Sequence, residues 1–340
     1  GLKDKVDLEF IAEHSELATL MAAGKVDIGM LPEPHVTSVL MQNKDMQTVI
    51  DVTTAFEAAA EKAGITAETA PEDACDPMIA AMQQIEVIGL TGTKGKSSTT
   101  YYLKYILDAY QEGESQPESG VISSIDTFDG VERFESHLTT PEPLDLQRHF
   151  SHAVSESLNY LTMEVSSQAL KYHRTLCTEF AAACFLNIGH DHISPIEHPD
   201  FDDYFQSKLK IFAQAKICCV NLDCSHADKI LEAAKASGKP VYTFSQQYET
   251  ADVYASNVRK RGNDILFRVK THRYLREFRL TMPGLFNVEN ALAAIAVCEG
   301  LRIPERYIYV GLMKARVPGR MEVYSNADET VTAIVDYAHN

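Results

Sequence analysis

The hydrophobic positions of this chain follow two rhythms. From residue 85 onward, short unbroken apolar runs alternate with stretches of helical spacing. Ile85–Leu90, Leu158–Val165, Phe180–Asn187 and Ile217–Leu222 have the length of buried strands, and Val241–Phe244 is a candidate fifth. Between them, Ser97–Ala109 carries Tyr102, Tyr105, Ile106 and Ala109 along one side of a helix, and Asn287–Glu299 is apolar nearly all round. Apolar strands separated by helices predict a mostly parallel sheet covered on both faces, because only a sheet buried on both sides dispenses with polar alternation. Between Ala251 and Thr281 the pattern becomes β-rich (VYASNV, DILFRV, REFRLTM), which predicts a small antiparallel subregion.

The first residues read differently. Leu17, Leu20 and Met21 form a short helical stripe stopped by Gly24, Val26–Leu31 is a short apolar run, and the prolines of LPEPHV interrupt before Val36–Met41 resumes as helix. A small, polar, proline-bearing stretch, GITAETAPEDACDP, then separates this part from the rest. Charge shifts at the same place. Residues 1–80 hold 15 acids and 5 bases, a net of −10, out of −17 for all 340 residues. A boundary is expected between Pro71 and Pro77, giving a segment 1–75 and a domain 76–340.

The acidity also narrows function. With Lys plus Arg at 31 against Asp plus Glu at 48, the chain lacks the basic excess that gripping nucleic acid or anionic lipid requires. No apolar run approaches the roughly 18 residues of a membrane span, and no signal peptide is legible. The seven cysteines form no CxxC pair, and Cys218–Cys219 lies inside the apolar run ICCV, as expected of reduced core thiols in a cytoplasmic protein. The chain begins with Gly1 and stops at Asn340 just after an apolar run, so a fragment or processed form is expected.

The strongest chemical signal is IEVIGLTGTKGKSSTTYYL: a buried strand, a Gly-rich turn, then a helix. That order aims backbone N–H groups and a helix N-terminus at phosphate. The candidate phosphate binders are Gly92, Thr93, Lys94, Gly95, Lys96, Ser97 and Ser98, with Lys96 toward the β- and γ-phosphates and the Ser97 hydroxyl toward Mg²⁺. The loop is a variant, since Leu90 stands where the usual pattern has its first glycine. The expected architecture becomes a P-loop-type, mostly parallel sheet with helices on both faces.

GLTGTKGKSSTT resembles the ATP loop of the Mur ligase superfamily, and LTTPEP, MEVSSQAL, NIGHDH, YFQSKLKIF, MPGLFNVENALAA, VPGRME and VDYAH follow in that family's order. The set is most similar to the UDP-N-acetylmuramoyl-tripeptide synthetases. The resemblance implies the central ATP-binding domain of an ATP-dependent amide ligase of peptidoglycan synthesis, with ATP and Mg²⁺ as cofactors. UDP-N-acetylmuramoyl-peptide and a free amino acid would be its substrates. It also implies that the family's uridine-binding N-terminal domain is not recognisable here and that its C-terminal domain would begin where this chain stops. Residues 1–65 resemble instead a stretch of ABC-transporter solute-binding proteins.

By resemblance, Glu164 and His192 are Mg²⁺ ligands, and Lys208 is a lysine carried as a carbamate, with Lys210 as its nearby rival. Thr139, Thr140, Ser166 and Arg174 line the substrate side. Asn287 and Asn290, three apart on one helix, can face one ligand; Asn290 is expected at adenine, Arg320 at the γ-phosphate and Asp336 at the ribose. A folylpolyglutamate- or cyanophycin-type ligase would share the loop, and an ATP-binding fragment without turnover is the non-enzymatic alternative.

Overall fold

The computed structural model describes residues 85–340, apart from 177, 192, 195–196, 321, 326–329, 331 and 337–340. The readings made for residues 1–75, including the domain boundary, lie outside the described residues, as does His192.

The described chain builds one eleven-stranded sheet in the order β11-β10-β9-β8-β7-β6-β1-β5-β2-β3-β4. Its parallel part comprises β1 (Glu86–Thr91), β2 (Gly120–Ile122), β5 (Tyr160–Glu164), β6 (Phe180–Phe185), β7 (Cys218–Asn221), β8 (Val241–Ser245) and the start of β9 (Val253–Arg261). Both edges turn antiparallel: β10 (Asp264–Lys270) and β11 (Leu275–Leu280) extend one, β3 (Asp126–Phe128) and β4 (Arg133–Glu135) the other. The β-rich stretch expected around 251–281 is thus the edge of the main sheet rather than a separate one. The strands β2, β3 and β4, three residues each, escaped the sequence pattern because so short a segment carries no period.

β1 explains the apolar run at its position. Val87 packs into one core while Ile88 and Leu90 pack into the other, so consecutive residues face opposite helical layers. One layer holds α1 (Lys96–Gly113), α6 (Asn287–Gly300) and α7 (Glu305–Lys314); the other holds α2 (Pro143–Ser155), α4 (Phe201–Leu209) and α5 (Ala227–Ala236), with the short helix α3 (Ser167–Lys171) following β5. α6 is buried on nearly every side, which accounts for its lack of a polar face. The described cysteines 184, 218, 219, 224 and 298 are free thiols, and burial raises the pKa of each. No helix among the described residues is long and apolar enough to cross a membrane.

The topology positions the site. From β1 the chain moves to one side of the sheet (β2, then β5) and crosses to the other at β6, so β1 lies between β5 and β6. That reversal of winding opens a crevice at the strands' C-terminal ends, where open α/β sheets bind ligands.

α1 and α7 touch through Gly311. A Cβ there would run into the backbone of Ile106. Gly311→Val should cost about 1–3 kcal/mol through overpacking. Thermal unfolding should register a fall of several degrees, and an unchanged Tm would contradict this close approach.

Candidate functional site

The phosphate loop is built by its neighbours as much as by its own glycines. β1 continues through Thr91, so Leu90, at the position of the expected first glycine, is a fully buried strand residue. The turn falls instead to Gly92 and to Gly95, whose φ of +82° suits glycine. α1 follows with no side-chain cap and no acidic residue in its first turn, leaving its N–H groups open to an anion.

Asn187 clamps the loop at two points: its Oδ1 accepts from the Lys94 amide at 2.8 Å, and its Nδ2 donates to the Lys94 carbonyl at 3.0 Å. The Thr93 hydroxyl meets the Tyr204 hydroxyl at 2.9 Å and accepts from the Gly189 amide at 3.0 Å. Thr93 and Asn187 therefore fix the turn before any ligand arrives. Asn187 lies in the NIGHDH block but was missed as a site residue, because its role depends on β6 lying beside β1.

Below the loop, three oxygens converge. Glu164, at the end of β5 and almost wholly buried, accepts through Oε1 from the Ser124 amide at 2.9 Å and the Ser124 hydroxyl at 3.2 Å. That hydroxyl is 3.1 Å from the Ser97 hydroxyl. Ser124, in the turn after β2, was also missed; no local pattern marks it. A carboxylate and two hydroxyls are hard donors that suit Mg²⁺.

Two lysines meet at the Gly92 carbonyl. Lys96 Nζ donates to it at 2.9 Å and to the Thr93 carbonyl at 3.4 Å, while Lys208 Nζ donates to it at 3.1 Å. Burial lowers the pKa of Lys96, against the opposing pull of Glu164 and Asp191. Burial, then the charge of Lys96, pushes Lys208 well below the usual lysine range. Lys208 sits in the last turn of α4 and is buried, whereas Lys210 is exposed.

The open part of the site is a cleft of about 800 Å³. Thr93 to Ser98, Ser124, Thr139, Glu164, Asn287, Asn290, Arg320 and Asp336 all line it, as does Asp191. Asn287 and Asn290 stand together on α6, linked at 3.1 Å. Apart from Gly92, which does not line the cleft, the residues expected at phosphate, adenine and ribose are therefore gathered around one space.

The substrate-side residues divide. Thr139 reaches the cleft, but the Thr140 hydroxyl donates to the Glu164 carbonyl at 2.9 Å and accepts from the Ser166 amide at 3.0 Å. Ser166 caps α3, its hydroxyl accepting from the Ala169 amide at 3.1 Å. Arg174 pairs with Glu142 at 2.8 Å and donates to the Thr140 carbonyl at 3.3 Å. These three hold the end of β5 in place; Thr140, Ser166 and Arg174 do not line the cleft.

The fold and site define an α/β domain with a strand–turn–helix loop at the winding reversal of its sheet. Residues 90–298 match the model of the Mur ligase middle domain, and the chain belongs to the Mur ligase family. It is 38% identical over 265 residues to a UDP-N-acetylmuramyl-tripeptide synthetase of Bifidobacterium longum, an alignment covering 76% of this chain and 50% of that protein. It is 36% identical over 262 residues to a UDP-N-acetylmuramoyl-L-alanyl-D-glutamate–L-lysine ligase of Enterococcus faecalis, covering 76% and 50%. A solved UDP-N-acetylmuramoyl-L-alanyl-D-glutamate–2,6-diaminopimelate ligase shares the fold, with TM-score 0.62 at 22% identity over 75% of this chain and 52% of that one. The chain thus spans about half the length of the curated relatives it matches.

Asn187→Ala deletes both contacts to Lys94. At about 1 kcal/mol per hydrogen bond, the backbone amides of the loop should exchange with solvent roughly tenfold faster or more. Hydrogen-exchange mass spectrometry of residues 92–96 would measure this, and unaltered protection would show that the clamp is idle.

Proposed function

We propose that this chain is the ATP-binding centre of a ligase that joins an amino acid to a UDP-N-acetylmuramoyl-peptide, through an acyl phosphate, in cytoplasmic peptidoglycan synthesis. The observation that carries this reading is the convergence of Lys96, Ser97, Ser124 and Glu164 beneath the open N-terminus of α1. Family membership and the names of the relatives support it.

In this reading the substrate carboxylate attacks the γ-phosphorus of ATP, ADP leaves, and an acyl phosphate forms. The amino group of the incoming amino acid then attacks the acyl carbon; phosphate leaves and an amide remains. The transferring phosphoryl group is rich in negative charge, so the site's task is positioning and charge stabilisation more than proton transfer. The loop amides and the α1 N-terminus cradle the phosphates. Lys96 exchanges its bond to the Gly92 carbonyl for phosphate oxygens, and Arg320 faces the same cleft with a fork suited to phosphate. Asn287 and Asn290 hold adenine, Asp336 the ribose hydroxyls, and Thr139 the substrate. Ser97 and Glu164, with Ser124 orienting the carboxylate, would hold Mg²⁺, which when bound neutralises phosphate charge; His192 is the further ligand implied by the family.

Lys208 suits a carbamate. Its surroundings favour the neutral amine, and a neutral amine can add to CO₂ and lose a proton, which places an anion beside Lys96. Lys208→Ala should leave ATP binding within a few-fold and abolish most amide formation in an assembled ligase, with partial rescue by short-chain carboxylic acids. Full activity in the unrescued variant would end the carbamate assignment.

The primary experiment separates binding from chemistry. Calorimetry should detect ATP binding that strengthens with Mg²⁺, and Glu164→Gln or Ser124→Ala should remove most of that Mg²⁺ dependence, by tenfold or more for Glu164→Gln. Amide formation is assayed in parallel with a UDP-N-acetylmuramoyl-dipeptide and candidate amino acids. Because the chain spans half the length of its relatives, binding without product supports a nucleotide-binding fragment of such a ligase, and absence of ATP binding refutes the proposal.

A further inference from the structure

Outside the cleft, at the far edge of the sheet, four metal-ligating side chains meet. Asp129 and Glu132 lie on the turn between β3 and β4, and His149 and His152 lie on α2, one turn apart. Their ligand atoms all fall within 4.8 Å of one another. Both imidazoles point Nδ1 at the same oxygen, Asp129 Oδ2, at 2.7 and 2.8 Å. The other oxygen, Oδ1, accepts from the amides of Val131 at 3.0 Å and Glu132 at 2.8 Å, so the carboxylate is fixed in orientation. None of the four residues lines the cleft.

We propose that Asp129, Glu132, His149 and His152 bind a divalent transition-metal ion of the zinc class. Two imidazole nitrogens and two carboxylates form a four-ligand N/O set of the kind zinc takes, at about 2.0–2.2 Å per bond. Two carboxylates and two neutral imidazoles also balance the charge of a divalent ion. With the ring proton on Nε2, each histidine presents an Nδ1 lone pair to the metal. The Oδ1–amide bonds supply the outer support that ligating carboxylates require. Asp129 and His149 are buried while His152 and Glu132 are partly open, which gives the ion a floor and an entry. Arg148, now 3.2 Å from Glu132 Oε2, is the resident cation that the metal would displace; it is half exposed and also within reach of Asp145.

All four ligands are supplied by protein, as in structural rather than catalytic zinc sites. The clip would join the β3–β4 turn to α2. Residues 136–142 run from the end of β4 to α2, and they include Thr139 at the cleft and Thr140, which holds the Glu164 carbonyl. A metal at the sheet edge would therefore stiffen the substrate-side wall of the cleft.

The test is calorimetry with Zn²⁺ on the intact chain, in a His192→Ala background and excess Mg²⁺ so that the cleft does not compete. One equivalent of Zn²⁺ should bind and raise the unfolding temperature. His152→Ala, at a partly exposed position that tolerates truncation, should weaken binding at least tenfold and remove the thermal shift. Glu132→Gln should weaken it as well, which a simple Asp129–imidazole anchor would not require. No stoichiometric Zn²⁺ binding, or binding indifferent to both substitutions, would overturn the proposal and leave the cluster an ion-free link between turn and helix.

Discussion

The Gly92 carbonyl accepts hydrogen bonds from the side-chain nitrogens of two lysines, Lys96 and the buried Lys208, and the site follows from that crowding. Burial, and then the charge of Lys96 beside it, disfavour the charged form of Lys208. Glu164 and Asp191 offset the charge of Lys96 only in part. The capless N-terminus of α1 adds backbone donors that face the same cleft. Preorganisation here means that the loop's donors are held in place by packing and by hydrogen bonds from neighbouring elements.

That concentration of charge is possible only because the scaffold around it is rigid. The loop borrows its hydrogen bonds from β6 through Asn187 and from α4 through Tyr204, while the end of β5 is tied by Thr140, Ser166 and Arg174. The segment after β6 and the helix α4 thus contribute polar groups to one short turn, and the end of β5 beside it is fixed separately. The winding reversal at β1 permits this: it brings the C-terminal ends of β5 and β6 to either side of the loop.

What the amino-acid sequence disclosed tracks how local each signal is. The strand–turn–helix of residues 85–109, the parallel core strands and the apolar α6 announce themselves through period and composition, and Glu164 is found at a strand end. Ser124 and Asn187 have no such mark, since each matters only for what lies across the sheet, about 40 residues from Glu164 and 93 from Lys94 respectively. The same holds for Asp129 with His149 and His152, whose partners are separated by 20 and 23 positions. Motif resemblance located Thr140, Ser166 and Arg174 but could not reveal that their polar atoms are spent on backbone and on Glu142, because a motif records identity and not direction.

This division of labour among the polar residues gives the site its logic. Atoms that will meet a ligand need bonds weak enough to exchange, and Lys96 on a backbone carbonyl fits that description. Atoms that hold the frame need bonds that persist, and the Thr140 hydroxyl, fully buried between the Glu164 carbonyl and the Ser166 amide, has no solvent to compete for it. Replacing a framing group would misplace Glu164 without touching the ligand, whereas replacing Lys96 would remove charge without moving the frame. Loss of function at either kind of residue would look alike in a single activity measurement; nucleotide affinity and fold stability, measured side by side, separate them because only the framing residues move both.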